Sequence, residues 1–274
     1  MRMRLGIVTV ASLLVGLAGV AAGCGGSSST DSPPIEPSGP TVETEHGVAT
    51  PYQREEARVW VLEPRDAEPR SIVVFVHGWT ASLPFDWQQV WLDHLLANGN
   101  IVIFPAYQGI DTEDWGIVTP LDMLDGLRAG FSAVGDTGLP VVTVGFSVGG
   151  ALAFFYAANA EQWGLPVPKG VYGIFPVDPL TVDPSFDVRP FPPMEVVLFI
   201  GEHDDVVGRS GADALWAWVQ ETKDIPPSSK TFRMIRTDDR VFAIHDVPTF
   251  VTNPAVRKVF WPPLDRLIQN ARSR

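Results

Sequence analysis

A serine stands between two glycines in Gly145-Phe146-Ser147-Val148-Gly149, with a β-branched run before it and an alanine-rich run after it. On a sharp strand-to-helix turn a serine hydroxyl is thrust clear of its own backbone, and the flanking glycines let neighbouring chain segments come close to that turn. Such a hydroxyl is a poor nucleophile alone. At neutral pH its proton has to pass to an imidazole, and a carboxylate has to fix that imidazole's tautomer. Backbone N–H groups have to meet the charge that develops on an acyl oxygen. Five histidines and a number of loop aspartates are available for these roles. The chemistry needs no metal and no organic cofactor, and the single cysteine, Cys24, can form neither an intrachain disulfide nor a thiolate zinc cluster.

The elements that must hold these groups alternate between strand-length apolar runs and amphipathic helix-length runs, which is the pattern of a mostly parallel sheet covered on both faces. Residues 58–63 alternate like an early strand, and residues 71–76 (SIVVFV) form a continuous run of the kind buried on both sides. A helix is predicted over 86–97, closed by Asn98-Gly99, and a second buried strand over 101–104. A helix over 120–134 opens on Pro120, and the strand 141–145 then leads directly into the Ser147 turn and a helix over 151–160. Strands at 170–175, 196–200 and 231–236, a helix at 211–222 and a terminal helix over 255–270 complete the chain. The pair Pro262-Pro263 is expected to interrupt that last helix.

Three segments carry a family resemblance: VFVHGWTAS at 74–82, GFSVGG at 145–150 and GEHDDVV at 201–207 resemble the α/β-hydrolase superfamily. The HGWTAS segment is most similar to the uncapped dienelactone-hydrolase-like and cutinase-like branches. The elbow departs from many polyester hydrolases, with Phe146 where they carry His or Trp and Val148 where they often carry Met, so polymer cleavage is not carried over. The resemblance implies a doubly wound, mostly parallel sheet flanked by helices, with no large cap domain, because too few residues separate Pro176 from Pro193 for one. It also implies the chain order serine, acid, histidine. His245 alone follows the last strand in a loop, so it is the expected base, and Asp204 of the GEHDDVV loop is the expected acid, with Asp205 and Asp178 as rivals. The expected oxyanion donors are the backbone N–H groups of Val148 and of Trp79, which follows His77-Gly78. Phe85, Tyr107, Trp115 and Trp163 are candidates for aromatic walls beside Trp79. The implied reaction is cleavage of a small or lipid-like carboxylic ester through an acyl-enzyme. An amidase with the same triad, or a non-catalytic binding module on the same fold, would share most of these features.

The first residues read as an address. Arg2 and Arg4 precede an apolar run over 5–20, and Ala22-Gly23-Cys24 resembles a bacterial lipobox, so 1–23 is expected to be a lipoprotein signal peptide and Cys24 the lipidated residue. Residues 24–41, rich in Gly, Ser and Pro, are expected to be a flexible tether, which leaves 42–274 as the folded domain of an exported, membrane-anchored protein. The net charge of −12 with no basic stripe argues against nucleic acid as a partner.

Overall fold

The sheet is built around β4 (Ser71–Val76), whose six residues are all buried. Its side chains divide by the two-residue period of a strand, Val74 and Val76 facing one hydrophobic layer and Val73 and Phe75 the other. The computed structural model describes residues 35–54, 57–81, 83–108, 120–182 and 190–274. Within them nine strands form one sheet, in the order β1-β2-β3-β5-β4-β6-β7-β8-β9. Strands β5 (Asn100–Pro105), β4, β6 (Val141–Phe146), β7 (Gly170–Ile174), β8 (Glu195–Gly201) and β9 (Lys230–Ile235) run parallel. β3 (Ala57–Pro64) adds antiparallel to β5, and β2 (Gly47–Arg54) and β1 (Val42–Glu43) continue antiparallel to the edge.

Helices α2 (Pro120–Val134), α3 (Val148–Asn159) and α5 (Ser210–Glu221) pack on one face through Met123, Leu127, Leu152, Phe154 and Leu215. Helices α1 (Gln89–Ala97) and α6 (Pro254–Arg272) cover the other through Trp91, Leu95, Phe260 and Leu264. Between β7 and β8 the described residues hold only the short α4 (Pro179–Val182), so no large cap covers the carboxyl ends of the strands. Because β4 has β5 on one side and β6 on the other, the chain reverses its winding there, and a crevice opens at the carboxyl ends of β4 and β6.

Two expectations need correction. Helix α6 runs unbroken through Pro262 and Pro263. Pro262 is exposed, so water can take up a carbonyl freed by the missing N–H, while the buried Phe260, Leu264, Leu267 and Ile268 keep the helix on the sheet. The Tyr172 hydroxyl also donates to the Phe260 carbonyl, at 2.7 Å. Helix α1 starts at Gln89, because the Gln88 side chain is buried and donates from Nε2 to the carbonyls of Ala81 and Leu83, holding the preceding residues as a turn. Ahead of β1, Pro37 forms an isolated antiparallel bridge to Tyr52.

Candidate active site

Ser147 lies directly after β6 with φ 56° and ψ −120°, a conformation that costs a non-glycine residue of order 1–3 kcal/mol. The surroundings hold it there. Its N–H donates to the Ile174 carbonyl at 2.9 Å, and its own carbonyl accepts from Gly150 and Val177 at 2.9 and 3.2 Å. A Cβ on Gly145 would overlap the Gly149 carbonyl, and one on Gly149 would overlap the carbonyls of Val76 and His77, so the turn closes only with glycine at both places. A Cβ on Gly78 would lie 2.8 Å from the Phe146 ring, which is why the loop after β4 can come so close to the nucleophile turn.

Three of the expected groups meet in one chain of hydrogen bonds. His245 Nε2 lies 3.0 Å from Ser147 Oγ, and its Nδ1 lies 2.8 Å from Asp204 Oδ2. With Nδ1–H donating to the carboxylate, Nε2 is left to accept the serine proton. The other oxygen, Asp204 Oδ1, accepts from the backbone N–H groups of Val206 and Val207, each at 3.1 Å. All three residues are buried, at 6 %, 7 % and 7 % exposure for Ser147, Asp204 and His245, so the contacts act with little screening by water. Of the three candidate carboxylates it is therefore Asp204 that reaches the imidazole. Asp178 instead accepts from the Leu180 N–H at 3.0 Å and caps α4, and Asp205 is exposed.

The two expected oxyanion donors lie on different segments, Val148 directly after the nucleophile and Trp79 directly after Gly78, where an added Cβ would lie 3.7 Å from the Ser147 Cβ. Val148 opens α3, where no preceding turn supplies a carbonyl to its N–H and the helix dipole favours negative charge. Trp79 is half-buried in the loop after β4. That loop is fixed from below by two contacts that spacing alone does not reveal. His77 Nδ1 donates to the Gly78 carbonyl at 2.7 Å, and the Tyr107 hydroxyl donates to the His77 carbonyl at 2.8 Å. The His77 ring is fully buried and stacks on Tyr107 at 4.2 Å and on Phe104 at 5.3 Å. Burial drives its pKa down to about 4, against the opposing pull of the Gly78 carbonyl. His77 is thus a neutral brace.

The aromatic surroundings differ from those expected. Phe146 and Phe175 flank His245 at 4.9 and 6.2 Å, and Trp87 meets Phe146 edge-on at 5.4 Å. Phe85 packs edge-on against Trp60, Tyr107 is buried beneath His77, and Trp163 stacks on Phe155 beyond the far end of α3. Trp115 and Cys24 lie outside the described residues. No group of three or more His, Cys, Asp or Glu that could hold a metal occurs among the described residues, and no described helix is long and apolar enough to cross a membrane.

No protein-family model matches the sequence, and no curated protein matches it. Solved structures do. Esterase 2 of Thermogutta terrifontis, phosphonylated by cyclosarin, superposes with a TM-score of 0.61 at 17% identity, covering 83% of this chain and 95% of that one. A putative dienelactone hydrolase from Klebsiella pneumoniae gives 0.56 at 15% identity over 79% of this chain and 94% of its own. A predicted CIB-like hydrolase from Thermoplasma acidophilum gives 0.55 at 16% over 83% and 99%. At such identities the likeness is one of fold, and the fold is that of the α/β-hydrolases.

Proposed function

We propose that this protein is a serine hydrolase that cleaves carboxylic esters through an acyl-enzyme, with Ser147 as nucleophile, His245 as general base and acid, and Asp204 as the group that orients the imidazole. The observation that carries this reading is the unbroken contact chain from Asp204 Oδ2 through His245 to Ser147 Oγ, at 2.8 and 3.0 Å. The esterases among the structural neighbours point the same way.

In the first half-reaction Ser147 Oγ bonds to the ester carbonyl carbon while its proton passes to His245 Nε2. The new imidazolium is stabilised by Asp204, whose second oxygen stays bound to two backbone N–H groups. The carbonyl oxygen gains a charge, which the N–H groups of Val148 and Trp79 receive. The carbon–alkoxy bond then breaks, and the leaving alcohol takes the proton from Nε2. In the second half-reaction water repeats these steps in reverse roles and frees the acid. The full chain is expected to react with a fluorophosphonate probe and to turn over p-nitrophenyl acetate, and Ser147→Ala is expected to abolish both. Wild-type protein that does neither, or a Ser147→Ala chain that does both, would overturn the assignment.

We further propose that residues 1–23 are a lipoprotein signal and that Cys24 carries the lipid that anchors the exported domain. The sequence Ala22-Gly23-Cys24 after an apolar run supports this. Labelled palmitate should enter the wild-type chain and not a Cys24→Ala chain, and retention of label by the latter would refute it.

A further inference from the structure

Single exposed apolar side chains are ordinary on a protein surface, but their concentration in one place is not. Among the described residues every large hydrophobic side chain that stands exposed lies at one edge of the sheet. Leu83 is in the loop after β4, Leu121 opens α2 after β5, Leu180 is in α4 after β7 and Val206 follows β8. Phe242 and Phe250 stand on either side of His245, and Met234 is the penultimate residue of β9. Because β4 through β9 are parallel, all these positions gather where the strands end, which is where Ser147 also lies. Five of them are half exposed or more: Leu121 62%, Leu180 53%, Val206 67%, Phe242 59% and Phe250 50%.

The apolar positions share backbone with the site. Val206 donates its N–H to Asp204 Oδ1 at 3.1 Å, and Val177, on the way into Leu180, donates to the Ser147 carbonyl at 3.2 Å. The Phe242 ring stacks on His203 at 5.6 Å, and the neighbouring Ala243 carbonyl accepts from the His203 N–H at 2.9 Å. The charges of the same loops do not suit an anionic surface. Arg209 and Arg236 are committed to Asp213 and Glu202 at 2.6 and 2.8 Å, Arg240 follows Asp238 and Asp239, and Asp178, Asp205 and Asp246 add further carboxylates. What suits an apolar rim interspersed with carboxylates is a surface with no charge of its own.

We infer that this rim seats the mouth of the site on the surface of a neutral, water-insoluble acyl ester, of the chemical class of triacylglycerols. The inference rests on the ester-hydrolase reading and adds the physical state of the substrate. The side chains of the rim enter the acyl layer and bring the Ser147 hydroxyl to the ester plane, while a short soluble ester reaches Ser147 without them.

The test uses the full chain with Cys24→Ala, so that no acyl anchor contributes, and compares it with a Leu121→Ser/Leu180→Ser/Phe250→Ser variant. Loss of three apolar anchors is expected to lower the rate on emulsified trioctanoylglycerol by about tenfold or more, with kcat/KM for p-nitrophenyl acetate unchanged. A chain inactivated by Ser147→Ala should float with the emulsion droplets, at high as at low salt, and the rim substitutions should leave it in solution. Equal rates of variant and parent on the emulsion, equal losses on both substrates, or no flotation of the inactivated chain would overturn the inference. So would a concentration-dependent dimer that the substitutions dissolve without any droplet binding, which would assign the rim to a second copy. Flotation by a chain that retains Ser147 and hydrolyses neither the emulsion nor p-nitrophenyl acetate would sink the catalytic reading and leave the rim standing.

Discussion

The two edges of the parallel sheet are built on opposite terms. At the amino-terminal ends of the strands polar groups meet in closed networks. Ser71, which opens β4, donates to Asn100 Oδ1 at 2.7 Å, and Arg272 at the end of α6 donates to Ser71 Oγ, Asn100 Oδ1 and the Asn98 carbonyl at 2.9–3.0 Å. Glu195, which opens β8, accepts from Asn270 and Arg274 at 2.9 and 3.0 Å. At the carboxyl ends the chain holds its strained residues. The non-glycine residues with positive φ among those described are Thr80, Ser147 and Phe175, which follow β4, β6 and β7, and the buried Nε2 of His77 has no hydrogen-bond partner. Strain and unsatisfied polarity persist only where the rest of the structure over-determines them. One edge therefore stabilises the fold that the other edge spends on reactivity.

The largest expected effect separates the two functions at a single residue. Ser147→Gly removes the hydroxyl and relieves the positive φ, so kcat/KM for p-nitrophenyl acetate should fall by about 10⁴ or more. Stability to urea should rise by about 1 kcal/mol, because the strain relieved outweighs the entropy glycine adds to the unfolded chain. A glycine variant less stable than the parent would show that the elbow stores no strain.

His77 makes the same edge sensitive to acid. Its folded pKa of about 4 lies below the ordinary 6.5, so the unfolded chain binds a proton first as pH falls. The stability it supports is fully present above pH 6.5 and is lost between there and about pH 4, a loss on the order of 3 kcal/mol. Urea unfolding at pH 7 and pH 4.5 should show this loss in the parent, and His77→Asn, which keeps a donor for the Gly78 carbonyl and cannot titrate, should reduce it.

The opposite edge should respond in stability alone. Arg272→Ala removes the donor shared by Ser71, Asn98 and Asn100 and should cost about 2 kcal/mol, with kcat/KM on a soluble ester unchanged. A loss of turnover in folded Arg272→Ala protein would mean that the edges are coupled.

How much of this is legible in the sequence follows the range of the interactions. Strand β4 and helix α2 have the bounds their patterns predict, because a continuous apolar run and a proline start are local signals. The Ser147 turn is legible for the same reason. Strand β2 is not, since Gly47 and Pro51 read as breakers, and only pairing along the whole of β3 makes GVATPYQR a strand. The continuity of α6 through two prolines depends on packing that no local pattern encodes. In the site, chain order picks out His245 from five histidines, but the Phe146 and Phe175 rings beside it, and the brace of His77 and Tyr107, arise from contacts between separate strands.

Tyr107 gives the finest test of the comparison, because its hydroxyl touches no reacting atom and still belongs to the reactive edge. It donates to the His77 carbonyl at 2.8 Å and is itself buried, at 3% exposure. Tyr107→Phe keeps the ring that stacks on His77 and removes one hydrogen bond to the peptide that leads into Gly78 and Trp79. If that bond aims the Trp79 N–H at the developing oxyanion, its loss is felt in the transition state and not in the bound ester, so kcat should fall about tenfold with KM unchanged. A role confined to packing would instead lower the urea midpoint and leave kcat as it was. Tyr107→Phe protein with parental kcat would therefore move Tyr107 out of the reactive edge and into the group of residues that, like Arg272, only hold the sheet together.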